Sequence, residues 1–347
     1  MARTEVTVFG AGVFGLSVAF ACLRRGARVV VVEPHAPGAG ASGGLLGALA
    51  PHTPDGWNAK KQFQFESLIA AGAFWRAVEE AGGRRTGYAR VGRLQPVADE
   101  RGLALAHARA EAAAQSWAGK AEWRVVPAAG RDWAPVSPTG WLIEDTLSAR
   151  IDPAAACATL AAAVAALGGR IGPDAPQAGG AQVWATGHEG LAALSAELGR
   201  PVGSGVKGQA LALALDMPDA PQLFADGLHI VPHANGTVAV GSTSERDWQD
   251  ADTTDAALDG IHARACAACP ALADAPVVAR WAGVRPRARS RAPMLGRHPA
   301  RDDVFIANGG FKIGVGLAPK VAEVMADLVL EGHDAIPPEF AVAASLR

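Results

Sequence analysis

The turn Gly10-Ala11-Gly12-Val13-Phe14-Gly15 matches G-x-G-x-x-G, and its setting narrows the fold more than any other feature of the chain. Before it, residues 5–9 read as a short buried strand. After it, residues 13–23 carry helical apolar spacing that ends at Arg24-Arg25-Gly26, and residues 28–32 are almost pure valine. Such a run suits a parallel strand covered on both faces. Glu33 follows at once, within the expected reach of a ribose hydroxyl, which completes a dinucleotide-binding βαβ unit. Gly10 permits the tight turn, Gly12 lets a pyrophosphate approach the backbone, and Gly15 lets helix and sheet pack closely. The helix start at Val13 and Phe14 offers free N–H groups and a positive dipole end to phosphates. An acid at position 33 disfavours a 2′-phosphate and so argues against NADP.

The rest of the chain places this unit in a larger plan. Helical spacing is expected over 62–81, 101–117, 154–167 (opened by Asp152-Pro153, an N-cap followed by proline) and 255–269. Residues 206–215, 228–232 and 237–241 read as strands, and Asn235-Gly236 between the last two is a hairpin signal. Residues 182–185 and 304–307 read as further strands, Thr186-Gly187 as a loop, and a last helix is expected over 318–331. The order predicts an α/β protein: a discontinuous Rossmann-like nucleotide-binding domain with an inserted α+β substrate domain built on an antiparallel sheet. The expected boundaries are 1–80, 140–205 and 286–347 for the first domain and 81–139 and 206–285 for the second.

Two glycine-rich stretches favour FAD over NAD. Where an NAD enzyme usually runs from the second strand into an ordinary crossover helix, residues 38–51 (GAGASGGLLGALAP) form a small-residue segment. A bulky ligand can lie against such a backbone. Ser42 is placed to donate to the pyrophosphate, and Gly47-Ala48 leave room for a flavin ring. Near the other end, Gly309-Gly310-Phe311-Lys312-Ile313-Gly314-Val315-Gly316 joins a strand to a helix expected to begin near Pro319, and is denser in glycine than a helix cap needs. Backbone N–H groups there can stabilise negative charge developing on a reduced flavin.

Taken in order, GAGVFG, Glu33, GASGGLLGALAP, IEDTLSARIDP, VKGQALAL, HIVPHANGTVAVGSTSERDW, WAGVRP, APMLGRHP and GGFKIGVGLAP make the chain resemble the FAD-dependent D-amino-acid oxidase (DAO) family over nearly its whole length. Within that family it is most similar to bacterial glycine oxidases. The ending GGFK is also similar to monomeric sarcosine oxidases, and Ala41-Ser42-Gly43 with Gly140-Trp141-Leu142 to the flavin half of a bifunctional tRNA wobble-uridine modification enzyme. The resemblance implies oxidation of the C–N bond of a small amino acid (glycine, sarcosine, a D-amino or an imino acid). Hydride passes to flavin and water hydrolyses the imine. It further implies that the Rossmann-like domain is an FAD-binding domain of glutathione-reductase type, with cofactor contacts at Pro34, Ala41, Leu46, Gly310, Phe311 and Ile313 through Gly316.

For the substrate, the resemblance implies that Arg285 grips the α-carboxylate, a task suited to the planar guanidinium fork. As a bare pattern, the cluster Arg280, Arg285, Arg287, Arg289 and Arg291 reads equally as a solvated basic strip. Lys312 stands where glycine oxidases carry arginine and sarcosine oxidases use a lysine on the carboxylate. His229 replaces a tyrosine that helps hold the carboxylate in glycine oxidases, and His52 is a further pocket candidate. No catalytic base and no metal site is expected. Sarcosine oxidases anchor flavin through a cysteine shortly before the final turn, and here no cysteine follows Cys269, so noncovalent FAD is expected. The segment 169–183 is shorter than in relatives and lacks the hairpin that contacts the adenine side.

Composition excludes some classes. With 32 basic and 34 acidic residues the net charge is −2, which offers no general attraction to nucleic acid or to an anionic membrane. No apolar run is long enough to span a bilayer, the N-terminus shows no basic-then-apolar leader, and four scattered cysteines suit a reducing compartment; a cytoplasmic location is expected. The pair Cys266 and Cys269 reads as structural. The expected partners are a small amino-acid substrate and an electron acceptor, either oxygen or a quinone or other electron carrier. Alternatives are a flavin enzyme acting on a carboxymethylaminomethyl-modified tRNA base, one acting on a 2-hydroxy acid, and a flavin-binding protein without catalysis.

Overall fold

A computed structural model of the protein describes residues 4–175 and 180–347. Part of the shortened 169–183 segment, residues 176–179, lies outside the described residues. The chain forms a six-stranded sheet in the order Met294–Arg297, Val304–Asn308, Ala181–Trp184, Glu5–Phe9, Arg28–Val32 and Arg170–Gly172. Every pairing is parallel except that of Met294–Arg297, which closes one edge antiparallel to Val304–Asn308. The central strand Glu5–Phe9 holds Val6 and Val8 at 2% and 0% exposure, as a strand covered on both faces must. Helices Val13–Arg24, Ala59–Gly82, Pro153–Ala166 and Gly314–Glu331 share its core through Leu16, Phe20, Leu68, Leu160 and Val321. Asp152 caps Pro153–Ala166 by accepting from Ala155 N–H at 3.0 Å, a contact that stabilises the helix by about 1 kcal/mol.

The second sheet has eight strands in the order Val277–Ala288, Gly203–Ala214, Thr237–Gly241, Leu228–Pro232, Gln222–Ala225, Arg93–Pro96, Trp141–Asp145 and Trp123–Pro127. Only the Gln222–Ala225 and Arg93–Pro96 pair is parallel. Asn235-Gly236 turns the expected hairpin: Gly236 has φ +79°, and Asn235 Oδ1 accepts from Thr237 N–H and Oγ1–H at 3.2 and 2.7 Å. Helix Ala257–Ala268 covers one face of this sheet through Leu258, Ile261 and Ala265, and Cys269 is buried there as a free thiol. Two sheets, one parallel with helices and one antiparallel, realise the expected fold class.

Several elements differ from the sequence reading. The last helix starts at Gly314, not near Pro319, which lies inside it. Its glycines form a helix N-terminus stripped of side chains, a geometry that glycine density alone does not distinguish from a loop. Residues after Thr186 form the helix Gly187–Glu197 rather than a loop. Trp141–Asp145 pairs in the eight-stranded sheet although the expected boundary at 140 grouped it with the nucleotide-binding segments. No helix of the described residues is long and apolar enough to cross a membrane.

Candidate active site

The nucleotide end is built from the first turn. Gly10 sits at φ +100°, and a Cβ on it would lie 2.5 Å from the Ala185 carbonyl oxygen; one on Gly15 would lie 2.0 Å from the Gly10 carbonyl oxygen. Only glycine lets the first helix approach the sheet this closely. Gly12 is its extended N-cap and no capping-residue side chain covers the helix start. Ser42, on the short 3-10 turn Ala41–Gly43, reaches across and its Oγ accepts from Val13 N–H at 3.0 Å. Glu33 ties the other side down: Oε2 accepts from Ala11 N–H at 2.8 Å and Oε1 from His35 N–H at 3.0 Å, on either side of Pro34. Contrary to the expectation of a free N–H at Val13, Ser42 already takes it, but a helix start without a capping-residue side chain, a turn in which a Cβ on Gly10 or Gly15 would clash and an acid at the strand end fit a dinucleotide.

The two glycine turns meet at Phe14. Its ring is buried, and a Cβ on Gly310 would lie 2.9 Å from it. Phe311 takes φ +46°, held by its N–H donating to Pro286 O at 3.0 Å. The helix start at Gly314, Val315 and Gly316 follows Ile313, again with no side-chain cap. The loop that carries Leu46, Gly47 and Ala48 is pinned to the second sheet from several sides. His233 Nε2 donates to Leu45 O (2.9 Å), and Gln222 Nε2 donates to Leu49 O (3.3 Å) and Ala149 O (3.0 Å). Ile151 N–H donates to Gly47 O at 3.0 Å, and the Trp281 ring lies where a Cβ on Gly44 would be 3.1 Å away. The small residues of 38–51 therefore serve close packing of one sheet on the other.

Three of the four predicted substrate residues gather into one charged neighbourhood. Arg285 is 8% exposed, its guanidinium lies flat against Gly208, where a Cβ would meet Nη2 at 1.8 Å, and Nη1 donates to Thr243 O at 3.3 Å. Burial pulls its pKa down to about 10, opposed by the negative charge of Glu245. Lys312 is also shifted down, first by burial and then by Arg285 and Arg287, and its Nζ lies 5.8 Å from the centre of the Phe311 ring. Among the described residues neither cation makes an ion pair. His229 lies 4.7 Å from the Phe224 ring and its Nδ1 is buried without a partner. Burial, then Arg93, then Lys312 hold its pKa at about 3, so the imidazole is neutral near pH 7. His52 stands apart. It is exposed, its N–H donates to Gln64 Oε1 at 2.7 Å, and the charges acting on it are Lys61 and Lys60.

Sequence reasoning missed Arg93, a buried arginine that donates through Nε to Asp145 Oδ2 at 2.9 Å and lies 5.9 Å from the Phe224 ring. It also missed Thr243 and Glu245, which with Gln209 form the polar wall beside Arg285. Both depend on pairings between distant strands, and no local spacing signals them.

Residues 5–328 match the family described as FAD dependent oxidoreductase (DAO). The chain belongs to this FAD-dependent oxidoreductase family. Among its relatives, glycine oxidase of Bacillus licheniformis is 27% identical over 94% of this chain and 93% of that enzyme. Glycine oxidase of Pseudomonas aeruginosa is 33% identical, with the match spanning 44% of each chain, so less than half of that enzyme's length is covered. The crystal structure of glycine oxidase from Geobacillus kaustophilus shares the fold at a TM-score of 0.83, with 23% identity and 99% of each chain covered. The family's cofactor is FAD.

Proposed function

We infer that the protein is an FAD-dependent oxidase or dehydrogenase that opens the C–N bond of a small amino acid. The observation that carries this reading is the pair Arg285 and Lys312. They are two cations, Arg285 buried and Lys312 exposed, without a carboxylate partner among the described residues, beside the glycine turn expected to face the flavin. A buried charge is costly unless paired, and a substrate α-carboxylate supplies the missing anion. Arg285 takes it through its fork, held against Gly208 and oriented by Thr243 O. Lys312 adds a second charge from the opposite turn. His229, neutral and with an unpartnered Nδ1, offers the substrate a hydrogen-bonding nitrogen without adding charge. Bound FAD supplies the hydride acceptor that lets the C–N bond become an imine, which water then hydrolyses. The amine arrives unprotonated in this reading: Arg285 and Lys312 are cations, and His229, with its pKa held at about 3, is too weak a base to take its proton.

Acetate carries the carboxylate without the amine and therefore tests the clamp alone. It should perturb the flavin absorbance of the holoprotein saturably, and Arg285→Ala should weaken that binding. A flavin spectrum unmoved by acetate would remove the carboxylate clamp.

A further inference from the structure

The arginine run at the end of the strand Val277–Ala288 separates into three parts. Arg280 points outward and pairs with Asp259 at 2.9 Å, and Arg285 is buried in the site described above. Arg287, Arg289 and Arg291 are left, and together with Pro201, Gly203, Ser204 and Ala288 they line one cleft of about 240 Å³. Among the described residues none of these three makes an ion pair, although Arg25, Arg28, Arg93, Arg109, Arg124, Arg264 and Arg301 all do. In a chain with slightly more acids than bases, three neighbouring guanidinium groups without a carboxylate are a local excess that a ligand can answer.

The cleft is also rigidly framed. Arg287 is half-buried, pairs across the strands with Ser204, and holds its guanidinium 5.3 Å from the Phe311 ring centre. Arg289 N–H donates to Val202 O at 2.8 Å. Arg291 takes φ +60°, a conformation uncommon for a residue with a side chain, and its N–H closes the turn on Ala288 O at 3.0 Å. Ser345 Oγ–H donates to Ser290 Oγ at 3.0 Å, which fastens the turn to the C-terminal segment. The cleft is smaller than the roughly 300–1,000 Å³ pockets of drug-sized ligands.

We propose that the cleft of Arg287, Arg289, Arg291 and Ser204 is a binding site for a small phosphorylated anion, adjoining the amine-oxidising site where Arg287 lies over the Phe311 ring. Guanidinium forks pair two oxygens each, so three of them around one small volume match a group with several charged oxygens, a phosphate or diphosphate, better than a single carboxylate. The Ser204 hydroxyl adds a neutral donor at the cleft wall.

Inorganic pyrophosphate is the probe, titrated calorimetrically into FAD-saturated protein at constant ionic strength, so that the cofactor's own phosphate site is already filled. Saturable one-site binding is expected, weakened at least tenfold in the double variant R289S/R291S, with flavin spectrum and Tm unchanged. Ser204→Glu, which keeps the arginines but sets a carboxylate opposite Arg287 to compete with the anion, should weaken it as well. Absence of saturable heat, or equal affinity in wild type and all variants, overturns the proposal. Tighter binding of a tRNA than of pyrophosphate, lost in R289S/R291S, also overturns it and makes the cleft a nucleic-acid contact.

Discussion

Arg285 gives up hydration to lie flat on Gly208, and among the described residues the opposing charge acting on it is that of Glu245. An arginine held this way gains most when a carboxylate arrives in bidentate geometry, and a substrate that loses this partner leaves its own charge unpaired. Arg285→Ala should therefore lower kcat/KM for the preferred substrate by roughly a hundredfold, about 3 kcal/mol. Steady-state kinetics check this, and an unchanged kcat/KM would move the carboxylate elsewhere. His229 yields a prediction about stability. The folded imidazole stays neutral down to about pH 3, whereas the unfolded side chain takes a proton near 6.5. Below pH 6.5 the unfolded state thus binds more protons, and stability present at neutral pH is lost as the pH falls. Between pH 6.5 and 5 the loss from this residue is about 2 kcal/mol. Thermal melts across that window should show a shallower decline for His229→Phe than for wild type. Parallel curves would contradict the neutral, buried state.

At the level of elements, the first turn and first helix act as one device. Gly15 touches the Gly10 carbonyl oxygen so closely that a methyl group at 2.0 Å forces the helix off the sheet. Gly15→Ala should cost about 3 kcal/mol and lower FAD occupancy; a variant with wild-type Tm and full flavin would refute this. This part of the molecule was readable in the sequence because it is local. Strand, turn, helix and Glu33 follow one another within the first 33 residues, and the hairpin at Asn235-Gly236 is equally self-contained. What escaped was non-local. Arg93 and Asp145 are 52 residues apart and meet only through strand pairing, and Phe14 closes on Gly310 across nearly the whole chain. The start of the last helix was misplaced for a related reason. A proline normally marks a first turn, but here the helix already begins at Gly314 and Pro319 lies inside it.

At the scale of the whole molecule, the parallel sheet with its helices contributes the nucleotide end. The antiparallel sheet carries Arg285, His229 and Arg93, and His233, Gln222 and Trp281 fasten the two together. The four cysteines lie as free thiols, with burial pushing Cys22 and Cys157 up to about 12, so none is primed as a thiolate. FAD should be held noncovalently, and acid precipitation should release all the yellow colour to the supernatant; colour kept in the pellet would show a covalent link. The central claim is that the assembled site takes hydride from the carbon beside the nitrogen of a small amino acid. The most direct test is to mix the holoprotein anaerobically with glycine, sarcosine, the proline isomers and a D-amino-acid panel while recording flavin absorbance. The account predicts bleaching by at least one member, faster as pH rises toward the substrate's ammonium pKa, with colour restored by the proper acceptor. A flavin that stays oxidised with every amino acid, yet is bleached by a 2-hydroxy acid, would contradict it.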